Sequence, residues 1–451
     1  MMIALRPTLR PPTPRALQAY NVISRLRPRA RLSSSSSSFP SSSSTLTATP
    51  TPDALAVTLP NGAHASFSYR WLRDSCQCPA CVHPSTRQKL HRTSDVPAGA
   101  APLPGSVKAG ADGVHLAWAS EGEATGEHAS FFPASFLAAH ASPTALSAFH
   151  RDVRRELWDA ASVSRSGDLY VPYAALNTDA GMLGAISQLE RAGLLFVTGV
   201  PTRETGDAGC ELRALVTRFG PLRNTFYGEV WDVKNVVNST NIAYTNLYLG
   251  LHMDILEDAR YFENPPRFQI LHCLRNRVKG GTSLFVDALR AATTLRTADP
   301  AAFDILASTP VPFHYINAGH HLHRAHPTIA LAPTPDPTTG QRAISHVNYS
   351  PPFQAPLPHD TPPAFFDALV AFVRLLEAPG TTFEYMLKEG DAVIFDNRSV
   401  LHARTAFSDP EVLVDEKGVE QTNRWLKGCY FEGDDMADRG RVLREKLGVE
   451  L

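Results

Sequence analysis

The chain contains the stretch Gly390-Asp-Ala-Val-Ile-Phe-Asp-Asn-Arg-Ser-Val-Leu-His402-Ala-Arg404, which is typical of a turn, a buried strand, a second turn and a second strand. Far upstream lies Tyr248-Leu-Gly-Leu-His252-Met-Asp254. Residues i and i+2 of a strand point to the same side, so His252 and Asp254 project together. Two histidines and one carboxylate are the facial ligand set of non-haem Fe(II) oxygenases. We therefore predict that His252, Asp254 and His402 bind iron.

A histidine-rich run offers a rival metal site. Its surroundings of Asn, Gly and Pro favour a loop near the mouth of the active site, and it contains no aspartate in H-x-D spacing. The triad is therefore the preferred iron site. The run consists of His314, His320, His321, His323 and His326.

The spacing of apolar residues predicts a mainly β protein with flanking helices. Many short strands punctuated by Gly, Pro and Asn favour a double-stranded β-helix, or jelly roll, over alternating strands and helices. Residues 54–68 predict a hairpin with Asn61-Gly62 at its turn. Strands are predicted at 193–201, 236–245, 268–274, 282–286, 343–349, 391–395 and 425–431, and helices at 181–192, 210–219 and 363–377.

Three of the six cysteines fall within six residues, in Cys76-Gln-Cys78-Pro-Ala-Cys81. A disulfide framework is improbable in a large intracellular chain, so this cluster favours a metal. A structural Zn²⁺ site needs a fourth ligand, commonly histidine. The candidates are His83, His91, His115 and His128, of which His128 lies beyond a predicted hairpin and is well placed to close the site.

The N-terminal residues 1–52 carry seven arginines, a serine tract and no acid. This composition is typical of a transit peptide, so we expect the mature protein in the mitochondrial matrix; a disordered basic tail on a cytoplasmic protein is the alternative. Residues 53–145 are expected to form a small zinc-binding β module, and residues 165–451 the catalytic domain. The net charge of −1 and the pI near 7 give no indication of nucleic-acid binding. No apolar run is long enough to span a membrane.

Several motifs, in order, resemble the γ-butyrobetaine dioxygenase and trimethyllysine dioxygenase family over roughly residues 54–445. They are Trp71–Cys81, Glu127-His128, 241–245, His252-Met-Asp254, 271–274, 280–287, 395–402 and 424–430. The resemblance implies a jelly-roll oxygenase that uses Fe(II), 2-oxoglutarate, O2 and ascorbate as reductant. It also implies a structural Zn(II) bound by Cys76, Cys78, Cys81 and His128. A homodimer is the assembly to test for.

The family resemblance also assigns the ligand-binding residues. Arg424 matches the arginine that binds the distal carboxylate of 2-oxoglutarate, and its planar guanidinium suits that group. Ser283 is a second, weaker contact. A quaternary ammonium cannot donate a hydrogen bond, so aromatic faces bind it. The aromatic positions of the family's trimethylammonium cage are matched by Tyr227, Trp231, Tyr244 and Tyr430, and Asn241 matches a residue used for the γ-butyrobetaine carboxylate.

The resulting hypothesis is the hydroxylation of γ-butyrobetaine to carnitine. Hydroxylation of trimethyllysine or of another betaine is the alternative within the family. A different class of function is an inactivated oxygenase that serves as a zinc-module binding protein. Two departures keep these alternatives open: the segment between Asp254 and Pro265 and the acidic segment Asp409–Gln421 are both longer than the family's usual length.

Overall fold

The computed structural model describes residues 45–449 other than 120–127, 226, 237–238, 240, 256–263, 318, 337–338, 411–412 and 415–419. The chain divides into two compact units, Met1–Ala134 and Ser135–Leu451. Its described part is mostly β structure with helices, as the sequence predicts. No helix within the described ranges is both long and apolar enough to cross a membrane.

The first unit contains two three-stranded antiparallel sheets and a short helix. One sheet comprises β1 (Thr47–Pro50), β2 (Ala54–Thr58) and β3 (His64–Ser68), and the other comprises β4 (Lys108–Ala109), β5 (Gly113–Trp118) and β6 (His128–Pro133). Helix α1 spans Tyr69–Asp74. The predicted hairpin is confirmed as β2 and β3, and Gly62 has φ +82° at its turn, a conformation that glycine adopts without steric cost.

The boundaries of this unit differ from the predicted 53–145. The folded module starts earlier because Thr47–Pro50 pairs antiparallel with β2 and Leu46 is buried. It ends earlier because Pro133 closes β6 and the compact unit stops at Ala134.

Two sheets form the centre of the second unit. The larger has the order β7 (Tyr170–Pro172), β8 (Leu194–Thr198), β19 (Ala392–Asp396), β11 (Phe268–Asn276), β24 (Arg424–Phe431) and β9 (Trp231–Lys234). The smaller has the order β10 (Leu249–His252), β20 (Val400–Arg404), β13 (Ser283–Asp287) and β18 (Phe383–Tyr385). All these pairs are antiparallel except β7 with β8.

Side chains from both sheets meet in one apolar cluster, so the two sheets face each other. Phe196 and Phe395 come from the larger sheet, and Phe285 and Val400 from the smaller. Phe285 packs edge-on against Phe196 with ring centroids 5.8 Å apart.

Four hairpins or paired segments extend the β structure: β12 (Lys279–Gly280) with β21 (Phe407–Ser408), β14 (Pro310–Asn317) with β15 (His320–Pro327), β16 (Ile329–Pro335) with β17 (Arg342–Val347), and β22 (Leu413–Val414) with β23 (Glu420–Gln421). The histidine-rich run therefore lies on the β14–β15 hairpin, and the prediction of a loop there is wrong. Antiparallel pairing of His314 with His323 across the hairpin satisfies the backbone.

The helices cover the sheets: α2 (Ala134–Ala139), α3 (Pro143–Phe149), α4 (Ala160–Val163), α5 (Asp179–Ala192), α6 (Glu211–Val216), α7 (Ala288–Ala298), α8 (Pro300–Ser308), α9 (Pro363–Leu376) and α10 (Gly433–Leu447). The predicted helices α5 and α9 are confirmed. Helix α5 begins where Thr178 accepts a hydrogen bond from Gly181 N and ends at Gly193, which has φ +65°.

Candidate functional site

The three predicted iron ligands come together in the second unit. His252 ends β10 and His402 lies opposite it on β20, so the pairing of these strands sets the two rings side by side, with centroids 4.1 Å apart. Asp254 Oδ1 lies 3.5 Å from His252 Nε2 and 3.7 Å from His402 Nε2. These separations let three donor atoms of two imidazoles and one carboxylate reach a single ion, which is the donor set that Fe(II) takes in non-haem oxygenases.

The protonation states of these side chains suit a metal. Burial and the neighbouring His252 lower the pKa of His402 to about 3, so its imidazole is neutral. Burial alone would raise the pKa of Asp254, but its contacts with His252 and His402 and a hydrogen bond from Tyr430 hold that pKa well below its usual range. His252 Nδ1 lies 2.8 Å from Gly250 O, so an N–H there leaves Nε2 free to face the ion.

Two further side chains hold Asp254 in place. The Tyr430 hydroxyl donates to Asp254 Oδ2 at 2.6 Å. Asn397 is fully buried; its Oδ1 accepts from Asp254 N at 2.8 Å and its Nδ2 donates to Asp254 O at 2.9 Å. The sequence placed Tyr430 only in the aromatic cage and gave Asn397 no role, although Asn397 lies inside the stretch that predicts the fold. Its signal was a polar residue between two predicted buried strands.

The long segment after Asp254 lies mostly outside the described residues, since 256–263 are not described. Its two ends are fixed by the same element of the chain. Asn397 Nδ2 also donates to Pro266 O at 3.1 Å, and the Arg398 guanidinium donates twice to Pro265 O. The carboxamide of Asn397 thus bonds to the backbone of Asp254, a predicted iron ligand, and to that of Pro266. The acidic segment Asp409–Gln421 also falls largely outside the described residues.

Arg424, on β24, lines a pocket that is also lined by His252, Asp254 and His402. It is 5% exposed, its Nε has no hydrogen-bond partner among the described residues, and no carboxylate in the described ranges forms an ion pair with it. Burial lowers the pKa of its guanidinium to about 10, so it remains a cation at neutral pH. Gly281, which adjoins Arg424, has φ +76°, a backbone conformation that glycine adopts without steric cost. A buried cation that faces a pocket without an acidic partner fits an anionic ligand such as a carboxylate.

The four predicted aromatic residues line one wall of this pocket. The rings of Trp231 and Tyr430 are tilted against each other with centroids 4.5 Å apart. The ring centroid of Tyr227 lies 6.3 Å from that of Trp231 and 6.2 Å from that of Tyr244. The backbone of Gly428 makes the Trp231 position possible, because a Cβ there would lie 2.7 Å from the indole. Aromatic faces are thus gathered beside the predicted iron ligands.

Asn241 and Ser283 also line the pocket. The strand predicted at 236–245 is wrong, because β9 ends at Lys234 and no described residue of 236–245 lies in a strand. In the described residues there, Asn241 Oδ1 accepts from Ala243 N at 2.9 Å and starts a short 3-10 turn, Ile242–Tyr244, and local side-chain bonding of this kind competes with strand pairing. Asn241 Nδ2 donates to the Tyr227 hydroxyl at 3.2 Å. The role of Asn241 and Ser283 in carboxylate binding stays a prediction.

Sequence reasoning missed two polar residues in the pocket wall. Gln269 is buried on β11 and its Oε1 has no partner among the described residues. Arg404 follows His402 by two residues on β20 and is 6% exposed. The signal for both was a polar residue at an inward position of an otherwise apolar strand.

In the first unit, Cys76, Cys78, Cys81 and His128 converge. The sulfur atoms lie 3.3, 3.6 and 3.5 Å from His128 Nε2. A tetrahedral Zn²⁺ with Zn–S bonds of about 2.3 Å and a Zn–N bond of about 2.0 Å would set sulfur and nitrogen about 3.5 Å apart. Burial lowers the pKa of His128, which favours the neutral imidazole that binds metal. Of the four candidate histidines, the structure selects His128.

Outer hydrogen bonds support this cluster. The Ser130 hydroxyl donates to Cys76 Sγ at 3.0 Å and accepts from Trp118 Nε1 at 2.9 Å, and Arg73 Nη1 lies 3.5 Å from Cys81 Sγ. Donors of this kind stabilise thiolates. In the described ranges, the histidine-rich hairpin brings no group of three metal-binding atoms together, whereas the triad and the Cys3His cluster do.

The chain is similar to two protein families and to several named dioxygenases. The profile of the taurine catabolism dioxygenase TauD, TfdA family matches residues 160–430, and that of the γ-butyrobetaine hydroxylase-like N-terminal domain matches residues 47–137. A dioxygenase, str8, of Strobilurus tenacellus is 51% identical over 84% of this chain and 85% of its own length. The γ-butyrobetaine dioxygenase of Pseudomonas sp. (strain AK-1) is 32% identical (86% and 94% covered), and the trimethyllysine dioxygenase of Meyerozyma guilliermondii is 25% identical (87% and 94% covered).

Proposed function

The chain belongs to the taurine catabolism dioxygenase TauD, TfdA family of Fe(II)- and 2-oxoglutarate-dependent dioxygenases, and within that family we propose that it hydroxylates γ-butyrobetaine to carnitine. The observation that carries this proposal is the wall of four aromatic rings beside the iron ligands. The assembly of His252, Asp254, His402 and Arg424 in one pocket argues against the alternative of an inactivated oxygenase.

His252, Asp254 and His402 would hold the iron. When bound, Fe(II) supplies the redox chemistry that converts 2-oxoglutarate and O2 to succinate and CO2 and replaces a substrate C–H bond by C–OH. Arg424 would bind the distal carboxylate of 2-oxoglutarate with its guanidinium, and Ser283 would add a hydroxyl contact. The side chains that line the pocket would orient the two substrates and exclude water. Ascorbate is the reductant we would supply to keep iron ferrous.

The aromatic wall supports a cationic substrate without N–H groups. A quaternary ammonium is held by the negative faces of Tyr and Trp rings, with about 0.5–2 kcal/mol for each favourable contact. Burial and the nearby Asp254 hold the pKa of the Tyr430 hydroxyl well above its ordinary value, so the ring stays uncharged and keeps its proton for Asp254. Tyr430 would therefore serve the substrate with its face and the iron ligand with its hydroxyl.

The four aromatic rings could also bind trimethyllysine, which carries the same trimethylammonium group. Asn241 favours γ-butyrobetaine, whose only other charged group is a carboxylate, because a neutral amide can donate a hydrogen bond to a carboxylate. Trimethyllysine also carries an α-amino group, for which an acidic side chain would be expected at this position. The test is to incubate the purified protein with Fe(II), ascorbate, 2-oxoglutarate and either compound, and to measure succinate and hydroxylated product. Carnitine formation with γ-butyrobetaine supports the proposal. Product from trimethyllysine alone would contradict the use of Asn241 and leave the reaction class intact.

The fold and the second metal complete the proposal. The two facing, mainly antiparallel sheets, with His252 and His402 on the smaller one, support a double-stranded β-helix. We assign Zn²⁺ to the Cys3His cluster because its sulfur–nitrogen separations suit tetrahedral coordination. The test is elemental analysis of the purified protein: one zinc per chain that is lost in Cys78→Ser supports the assignment, and a metal-free wild type contradicts it.

We also propose that residues 1–52 contain a mitochondrial transit peptide, on the basis of the seven arginines and the absence of acids. Cleavage would have to precede Thr47, because β1 starts there and pairs with β2. A fluorescent protein fused to residues 1–44 should enter mitochondria. Cytoplasmic fluorescence of that fusion would favour the basic-tail alternative.

A further inference from the structure

Arg404 is a second buried arginine in the pocket, and its contacts differ from those of Arg424. Its Nη1 donates to Ala243 O at 3.2 Å and its Nη2 donates to Leu247 O at 2.6 Å. No carboxylate in the described ranges forms an ion pair with it. Its guanidinium is therefore engaged with the backbone of residues 243–247, which we call the cage segment.

The cage segment carries part of the proposed substrate wall. Tyr244 lies in it, and Asn241 precedes it and starts its 3-10 turn. A further bond from the same region holds it: Phe407 N donates to Asn246 O at 3.1 Å. Residues 404 and 407 thus contribute three hydrogen bonds to the backbone of a segment that has no strand pairing of its own in the described residues.

Arg404 is also adjacent to the predicted co-substrate anchor. The guanidinium carbons of Arg404 and Arg424 lie 5.0 and 5.3 Å from the centroid of one ring, that of Phe407. Arg404 follows the iron ligand His402 by two residues on the same strand, so both side chains project to the pocket. One short stretch of β20 and β21 therefore contacts the iron site, the co-substrate anchor and the cage segment.

Burying a guanidinium without an acidic partner costs free energy of desolvation, so other contacts must offset that cost. Two carbonyl oxygens and the face of Phe407 are the groups that compensate it here. A lysine would provide one point charge on a flexible stem and cannot span two carbonyl groups in a planar fork. The geometry therefore depends on arginine rather than on positive charge alone.

We propose that Arg404 is a positioning residue that fixes the cage segment relative to the iron site, and so sets substrate affinity and the coupling of 2-oxoglutarate consumption to hydroxylation. This inference rests on the proposed substrate wall. It predicts that loss of Arg404 loosens residues 243–247 and misplaces Tyr244, while the iron ligands and the Arg424 anchor are retained.

The experiment compares Arg404→Met and Arg404→Lys with the wild type. The matched control is Arg342→Met, since Arg342 is an exposed arginine that donates to Ala332 O outside the pocket. Backbone amide hydrogen exchange of peptides spanning 241–249 is measured first, because it requires no substrate. Loss of charged hydrogen bonds to two carbonyls is expected to speed exchange there about 10-fold or more in Arg404→Met, and less in Arg404→Lys.

The kinetic measurements distinguish positioning from direct co-substrate binding. With γ-butyrobetaine, Arg404→Met should raise KM about 10-fold and raise the ratio of succinate to carnitine, whereas affinity for 2-oxoglutarate with Mn(II) should change less than about 3-fold. Unchanged exchange at 241–249 in both variants would overturn the proposal. So would a loss of 2-oxoglutarate affinity as large as that of Arg424→Met. If γ-butyrobetaine is not a substrate, the exchange result alone decides the role of Arg404. If Arg404→Met does not fold, Arg404→Lys decides it by the same exchange criterion.

Discussion

Adding one methyl group at position 428 is expected to displace the indole of Trp231. The two residues are cross-strand neighbours on β24 and β9. A Cβ on residue 428 would lie 2.7 Å from Cε2 and Nε1 of Trp231 and 2.8 Å from Cζ2. Non-bonded heavy atoms settle at about 3.5–4.0 Å, so the indole has to move by about 1 Å.

The displacement has two costs in Gly428→Ala. Overpacking in a buried site costs about 1–3 kcal/mol of stability, which lowers the midpoint of thermal unfolding. A displaced indole also loses its contact with Tyr430, whose ring centroid is 4.5 Å away in the wild type. If one desolvated cation–π contact of about 2 kcal/mol is lost, affinity for a trimethylammonium substrate falls about 30-fold.

The assay is carnitine formation at varied γ-butyrobetaine, together with 2-oxoglutarate affinity in the presence of Mn(II). The control is Gly184→Ala in helix α5, where the new Cβ would make an ordinary contact of 3.6 Å with Asp168. We expect a raised KM for γ-butyrobetaine in Gly428→Ala and an unchanged one in the control. A KM of Gly428→Ala for γ-butyrobetaine within twofold of the wild-type value would show that the position of Trp231 does not set substrate affinity. An equal loss of 2-oxoglutarate affinity would show that the damage extends beyond the aromatic wall.

Three further changes test the surroundings of the iron ligands and the core. Tyr430→Phe keeps the ring but removes the 2.6 Å hydrogen bond to Asp254, so metal affinity measured by calorimetry should fall on the order of 10-fold. The KM for the substrate should change little, because the aromatic face remains. A raised KM with unchanged metal affinity would contradict the two roles of Tyr430. Asn397→Ala leaves the backbone N–H and C=O of Asp254 without their buried partner, so metal affinity should fall roughly 10–100-fold. A metal affinity equal to that of the wild type would show that Asn397 does not position Asp254. Burial lowers the pKa of His272 to about 4, so the unfolded chain takes up a proton at this residue before the folded chain does, and up to about 3 kcal/mol of stability is lost as pH falls from about 6.5 towards 4. The midpoint of thermal unfolding should therefore drop less between pH 7.5 and 5 in His272→Asn than in the wild type. Equal drops would exclude His272 as a source of acid destabilisation.

The parts of the site that follow from local sequence were predictable. The H-x-D spacing of His252 and Asp254 predicts that both side chains reach one ion, and the structure brings them together although β10 ends at His252. The density of thiols in the Cys76–Cys81 cluster indicates metal binding. The choice of His128 among four histidines also held, because β5 and β6 return the chain to the cysteines.

The parts that depend on pairing between distant segments were not predictable. Asn397 holds the backbone of Asp254 only because β19 and β20 bring residues far apart in sequence together. Gly428 matters through its cross-strand neighbour Trp231, which no local pattern reveals. The strand predicted at 236–245 was wrong for the opposite reason, since a side chain, that of Asn241, satisfies the backbone locally.

The measurement that tests the central claim most directly compares γ-butyrobetaine with 5,5-dimethylhexanoate, which has the same shape with carbon in place of the charged nitrogen. Binding to the Mn(II)–2-oxoglutarate form of the protein is measured by calorimetry for each. We expect the cation to bind about 30-fold more tightly or better, because aromatic faces attract positive charge. The rings are those of Tyr227, Trp231, Tyr244 and Tyr430. Equal affinity for the two compounds would show that the wall recognises shape alone, and tighter binding of the all-carbon analogue would contradict a trimethylammonium substrate.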